Sequence, residues 1–211
     1  MRYFIKTPWF IKAVFPSLIW DIPTTDKKIY LTFDDGPHVT ATPFVLDQLK
    51  KYNAKATFFC IGKNVVEQNA LYRRILDEGH QTANHTYNHL NGRKVSDKEY
   101  FDNIIEASKH IDSKIFRPPY GRMKLFQRTN LIKTGWKIIM WDVLSADFDL
   151  NVTPERCSEN VILHAKPGSI IVFHDSEKAF NSLQYALPRV LEYFSQKGYS
   201  FPVLGSFSRP I

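Results

Sequence analysis

The chain has 211 residues, 44% hydrophobic and 14% aromatic, with 28 Lys and Arg against 21 Asp and Glu for a formal net charge of +7. That length and composition suit one globular domain with a sizeable core and exclude a disordered, fibrous or repeat-built chain. The basic residues are scattered in short pairs such as Lys27-Lys28, Lys50-Lys51 and Arg73-Arg74, without the stripe and interleaved aromatics of a nucleic-acid surface, so nucleic acid is not an expected partner.

The first 25 residues read as an apolar arm. Their longest uncharged run spans only 13–20, far short of the roughly 20 residues a membrane span needs, and no small-residue cleavage site follows it. The arm is expected to cover one end of the core. The competing reading is an interfacial anchor, with Arg2, Lys6 and Lys12 beside Trp9, Phe10, Phe15 and Trp20. Pro8 and Pro16 interrupt the amphipathic helix such an anchor needs. Membrane association is therefore not the favoured mode, and the expected location is the cytoplasm or the periphery of the envelope.

Residues 26–211 read as the domain proper. KIYLTF (28–33) is a strand that stops at Asp34-Asp35-Gly36-Pro37. Thr42-Pro43 then suits an N-cap and first helical residue, with Val45, Leu46, Leu49 and Tyr52 at helical spacing. AKATFFCIG (54–62) is the second strand, and Cys60 lies buried in it; neither Cys60 nor Cys157 has CxxC spacing. Asn64 with Glu67 matches a capping-box-like helix start, ending near Gly79. HQTANH (80–85) is a third strand, 96–111 a helix, 114–120 a strand running into a loop, and 123–134 a helix. A fifth strand covers 137–143, a helix capped by Thr153 covers 154–164, and GSIIVFHD (168–175) is the sixth strand. A long helix ends near Gly198, and FPVL (201–204) makes a last short strand.

Strands alternating with helices predict an α/β fold with a parallel sheet. About seven such units in this length suit a closed or nearly closed (β/α) barrel, with an open doubly wound sheet as the alternative. No GxGxxG or GxxxxGK[ST] follows any strand, so nucleotide binding has no support. Chemistry in such folds gathers where the strands end. Asp34-Asp35, His85, Arg117 and Tyr120, then Trp141, Asp142 and Asp147, and His174-Asp175 all fall at predicted strand ends.

His85 and His89 are four apart, which on a helical turn puts both imidazoles within reach of one cation. Two His and one carboxylate with open positions describe a catalytic metal site rather than a structural one. Asp34 and Asp35 repel each other's charge, so the economical division is one metal ligand and one general base. His174, with a free pKa near neutrality, suits the acid that protonates a leaving group, and Asp147 is placed to hold it protonated. His38, His80, His110 and His164 are read as structural, His38 being nearest the rim. Asp175 is read as a cap for the next helix.

Together these stretches resemble the polysaccharide deacetylase family, the NodB-homology domain of carbohydrate esterase family 4, from about residue 26 to 204. TFDDG (32–36), HTYNH (85–89), RPPYG (117–121), WDVLSADF (141–148) and VFHD (172–175) resemble its five motifs in order. The resemblance implies a distorted (β/α) barrel. It implies Asp34 as catalytic base, and Asp35, His85 and His89 as ligands of one divalent metal, zinc by default with cobalt or manganese as alternatives. Arg117 would orient Asp34, and Tyr120 would hold substrate, its N–H helping to stabilise the oxyanion. His174 would be the acid tuned by Asp147, with Trp141 and Val172 lining the acetyl pocket. Phe148 stands where the family usually has Trp, and Val172 where it usually has Leu. The function so implied is metal-dependent removal of N-acetyl groups from a GlcNAc-containing glycan such as chitin oligomers or peptidoglycan. An O-acetyl esterase acting on xylan and an inactive glycan-binding scaffold are the alternatives. Oligomeric state is not legible.

Overall fold

Strands β1 (Tyr30–Asp34), β2 (Ala56–Cys60) and β7 (Ile170–His174) carry apolar residues on both faces, as strands do when both sides of a sheet are covered. In this computed structural model, which describes residues 3–205, they form the middle of a seven-stranded parallel sheet of order β5-β4-β3-β2-β1-β7-β6. The flanking strands are short: β3 (Gln81–Asn84), β4 (Ile115–Phe116), β5 (Lys137–Ile138) and β6 (Val143–Leu144). The sheet curls into a half-barrel, which agrees with the expected distorted barrel.

The two-residue period of the strands sorts side chains by face. Leu31, Phe33, Phe58, Cys60, Ile171 and Phe173 pack outward into one cluster with α2 (Ala41–Lys51), α7 (Pro154–His164) and α8 (Phe180–Gln196). Tyr30, Phe59, Ile139 and Ile170 pack inward with Ile19, Ala83, Ile115 and Leu204. Asp34 shares the inward face with Tyr30 and Thr32, and His174 shares it with Ile170 and Val172. Alternation along two adjacent strands thus brings a carboxylate and an imidazole to the same interior rim.

Several sequence expectations change. The predicted strand 137–143 is two strands, β5 and β6, because residues 139–142 break from the ladder; Met140 N instead donates to the Ile19 carbonyl. Residues 201–204 form no strand, and Ser200 makes only an isolated bridge to Lys28. The seventh strand is therefore β6, not the C-terminal segment. Thr42 lies inside α2 rather than capping it, and its hydroxyl donates to Asp175. Asn64 lies inside α3 (Gly62–Glu67), and a separate α4 (Asn69–Asp77) follows. Asp175 caps no helix; it accepts from Gly36 N at 3.1 Å and from Thr42. A Cβ on Gly36 would sit 2.0 Å from the Asp175 carboxylate, so this turn needs glycine. Burial pushes the Asp175 carboxyl up to about 8, and Asp35 adds to the shift. The helices α5 (Asp97–Ser108), α6 (Leu125–Lys133) and α7 follow expectation within a few residues, with Ser96 and Thr153 as side-chain N-caps.

In the N-terminal arm, Leu18, Ile19 and Trp20 are buried against the sheet, as a cover for the core requires. The six-residue helix α1 (Trp9–Val14) buries none of its residues, and Trp9 is 79% exposed. Arg2, one cation of the anchor reading, lies outside the described residues. Among the described residues no helix is long and apolar enough to cross a membrane.

Candidate active site

Arg117 is fully buried beneath the rim, and four of its five N–H donors are used. Nη1 donates to Asp34 Oδ1 at 2.6 Å and to Thr32 Oγ1 at 2.8 Å, Nη2 to the Met140 carbonyl, and Nε to the Ile139 carbonyl. Its guanidinium stacks 4.0 Å over the Phe59 ring. A buried charge is tolerated only when it is paired and hydrogen-bonded in this way. Burial of Asp34 favours its neutral form, yet the charge of Arg117, with His85 and His174 beside it, outweighs burial and holds the carboxyl below its usual value. Asp34 is thus ionised and aimed at the cleft.

Asp35, one residue on, is turned a different way. Its φ of 82° leaves the strand, and Asn64 Nδ2 donates to its carbonyl at 2.7 Å. Residues with non-glycine positive φ persist only where surrounding contacts hold them. Asp35 Oδ1 then lies 3.2 Å from His89 Nε2 and 3.7 Å from His85 Nε2. It is a buried oxygen with no hydrogen-bond partner. His85 Nδ1 bonds the Arg117 carbonyl at 2.8 Å. A carbonyl only accepts, so Nδ1 carries the proton and the Nε2 lone pair faces the cleft. Burial lowers His85 to about 4, with His89 adding to the shift and Asp34 and Asp35 opposing it, which keeps the imidazole neutral. An orphaned carboxylate oxygen and a neutral Nε2, with a second imidazole beside them, form a donor set that fits one divalent cation, and the three ligand atoms lie within 4.8 Å of one another.

The His-x-x-x-His stretch is not the helical turn its spacing suggested. It is a loop with Thr86 at φ 64° and His89 at φ 56°. Asparagines fix it: Asn84 Oδ1 accepts from Thr86 N, and Asn103 Oδ1 from both Tyr87 N and Asn88 N. These asparagines and Asn64 are supports the sequence reading missed; an asparagine ending a predicted strand beside a His motif was the available signal.

On the opposite side of the rim, Asp147 grips His174 twice. Oδ1 lies 2.8 Å from Nδ1, and Oδ2 accepts from the His174 backbone N–H at 2.8 Å. Burial alone would discharge His174, but Asp147 first, then Asp35 and Asp34, raise it to about 9. The two loop carboxylates near Asp147 are spoken for. Asp142 is buried under Lys6, Lys12 and Ser169, and Asp149 accepts from Tyr3.

These groups line a cleft of about 680 Å³. Asp34, Asp35, His85, His89, Tyr120, Trp141, Val172 and His174 face it, with Arg117 and Asp147 buried behind. Tyr120, at φ 61°, packs against His89 with ring centroids 4.6 Å apart and the planes tilted by 54°. Gly121 beside it has φ 63°, and a Cβ there would meet the Trp141 ring at 2.6 Å. Leu144 and Val172 make an apolar patch of the wall, and Phe148 meets His174 edge-on at 5.0 Å. Tyr3, Leu144, Phe148, Asp149, Glu177 and Lys178 also line the cleft, and none was predicted as a site residue. His38 does not face it; His38 Nδ1 accepts from Thr40 N and Ala41 N at the head of α2.

The polysaccharide deacetylase family model matches residues 21–138. The chain belongs to the polysaccharide deacetylase family. A peptidoglycan-N-acetylglucosamine deacetylase of Bacillus cereus is 33% identical over 196 residues, covering 90% of this chain and 92% of that protein. A chitooligosaccharide deacetylase of a Bradyrhizobium species is 35% identical over 156 residues, 71% of each chain. A peptidoglycan N-acetylglucosamine deacetylase crystallised with a naphthalenyl N-oxidanyl-benzamide superposes with a TM-score of 0.87 at 32% identity, covering 95% of this chain and 96% of that one.

The His174–Asp147 pair of this deacetylase makes a pH prediction. A histidine held at about 9 when folded and about 6.5 when unfolded stabilises the fold fully below pH 6.5. Between 6.5 and 9 the unfolded chain loses that proton first, so stability falls as pH rises, by at most about 3 kcal/mol. The His174 ring is expected to titrate near 9 by NMR, and far lower in Asp147→Asn. A midpoint below 7 in the wild type would dissolve the pairing.

Proposed function

We propose that this polysaccharide deacetylase removes N-acetyl groups from GlcNAc-containing glycans by metal-dependent hydrolysis. The observation that carries the reading is the division of the adjacent carboxylates. Asp34 is ionised against buried Arg117, and Asp35 aims an unpartnered oxygen at two imidazoles. Asp35, His85 and His89 would hold the cation, zinc first with cobalt or manganese as alternatives. Bound there, a divalent cation would polarise the acetyl carbonyl and stabilise charge on its oxygen.

The chain's own groups do the rest. Asp34 takes the proton of the attacking water, and Arg117 keeps that carboxylate ionised and fixed in direction. His174, charged at neutral pH, stands across the rim and gives its proton to the leaving amine nitrogen. Asp147 keeps it protonated and sets its ring orientation through Nδ1. Leu144, Val172 and Trp141 offer apolar surface for the acetyl methyl, and Tyr120 lies where the sugar would enter. Acetate and a free amine on the glycan are the products.

The test is acetate release from chitin oligomers, peptidoglycan and acetylated xylan by metal-stripped protein reloaded with zinc, cobalt or manganese. Release from an amide substrate, abolished by chelation and restored by one metal, is the expected result. Release from xylan alone would reassign the protein as an O-acetyl esterase. No release with metal demonstrably bound would leave a glycan-binding scaffold.

A further inference from the structure

The N-terminal segment does more than cover the core. Residues 3–7 run along the loop that carries Trp141, Asp147 and Phe148, and they are fastened to it. Leu144 N donates to the Ile5 carbonyl at 2.8 Å, Thr7 N to the Asp142 carbonyl at 2.9 Å, and Thr7 Oγ1 to the Trp141 carbonyl at 2.7 Å. Beneath these, Asp142 is fully buried and receives Lys6 Nζ at 2.5 Å, Lys12 Nζ at 2.5 Å and Ser169 Oγ at 2.5 Å. Two cations and a hydroxyl on one buried carboxylate make a firm clamp, since pulling a lysine away breaks a charge-assisted hydrogen bond to a carboxylate that has no access to water. The clamp sets Tyr3 into the wall of the cleft. Its ring meets Phe148 edge-on at 5.5 Å, and Phe148 in turn meets His174. Its hydroxyl donates to Asp149 Oδ2 at 2.7 Å.

We infer that Tyr3 and Asp149, held in place by the clamp on Asp142, form a subsite for a pyranose ring next to the sugar being deacetylated. This rests on the deacetylase reading. Tyr3 stands one aromatic ring behind the acid, so it meets the glycan chain rather than the acetyl group. A tyrosine ring offers a flat apolar surface to the C–H face of a sugar, and a carboxylate beside it accepts from sugar hydroxyls. Three hydrogen bonds already orient that carboxylate, from the Tyr3 hydroxyl to Oδ2 and from Asn151 N and Nδ2 to Oδ1. The family match begins at residue 21, so this wall comes from chain outside it. The enzyme would then read chain length through its N-terminus.

The test compares N-acetylglucosamine dimer and pentamer on wild type, Tyr3→Ala and Tyr3→Phe. Binding is measured by calorimetry and acetate release in parallel, with thermal melts checking the fold. The expected result is about fivefold or more weaker pentamer binding and a matching rise in pentamer KM in Tyr3→Ala, with kcat and dimer binding nearly unchanged. Tyr3→Phe, which keeps the ring, should retain most of the pentamer affinity. Equal losses on dimer and pentamer, no loss on either, or a wild type that does not bind pentamer would overturn the subsite. A Tyr3-dependent pentamer preference without any acetate release would uphold the subsite and sink the deacetylase reading instead. Release with no chain-length dependence would do the reverse.

Discussion

Asp34→Asn is expected to lower kcat for acetate release by about a thousandfold, within the range removal of a general base usually costs. The change is isosteric, and the amide oxygen still accepts from Arg117 Nη1, which now lies 2.6 Å from Asp34 Oδ1. What disappears is the ability to take a proton. The proposed ligand set Asp35, His85 and His89 is untouched, so metal binding measured by calorimetry should stay within a few-fold of wild type. The substitution also strips Arg117 of its counter-charge, so the melting temperature should fall, and rates must be compared well below it. Retention of more than about a tenth of the wild-type kcat would place the base elsewhere, and Asp35 would be the next group to examine.

Arg117→Met is expected to cost about 3–5 kcal/mol of folding stability, the usual penalty for breaking a buried ion pair from one side. The loss is large because Arg117 is fully buried and ties the end of β4 both to β1, through Thr32 and Asp34, and to the segment between β5 and β6, through Ile139 and Met140. The variant should also reveal itself in the pH profile. Arg117 is the main influence holding Asp34 below its ordinary value against burial. Without it the carboxyl shifts upward, so the acid limb of kcat/KM should begin to fall at a higher pH than in wild type. Arg117→Lys should rescue the charge but not the four-way fork, since one ammonium cannot reproduce planar donors aimed at separate acceptors. Urea unfolding supplies the stability figure. A cost below about 1 kcal/mol, with an unmoved acid limb, would show that the pair does not set the state of Asp34.

Much of this architecture was legible because it rests on local rules. The central strands announce themselves as β-branched and aromatic runs ended by Asp-Asp-Gly-Pro or His-Asp, and Thr153-Pro154 and Ser96 mark helix starts by side-chain capping. Gathering of the catalytic residue types at strand ends follows from the βα alternation alone. Elsewhere tertiary contacts overrode local signals. Thr42 looks like a cap by type, but the buried Asp175 carboxylate needs its hydroxyl. Asn64 looks like a helix start, but the outward turn at Asp35 needs its amide. His85 and His89 share a helical spacing yet sit on a loop, because asparagines at 84 and 103 satisfy its N–H groups in place of a helix. The run 137–143 reads as one strand because 138–141 is unbroken apolar chain, and nothing local shows that Met140 serves Ile19 and Arg117 instead of a neighbouring strand. Least legible was Tyr3, whose position depends on lysines reaching a single aspartate far along the chain.

Strands β1 and β7 lie side by side, with Asp34 directly opposite His174 in the register. The proposed proton acceptor therefore belongs to the earliest strand and the proposed proton donor to the last. No shorter stretch of chain contains both, and the contact between them closes about two thirds of the sequence into a loop. Such distant pairings form late and slowly. A chain emerging during synthesis, or one cut anywhere between these strands and released, carries at most half of the proton traffic. Activity should thus appear all at once, with the docking of β7, and its onset during refolding would time the last step of assembly better than any spectroscopic probe of helix content.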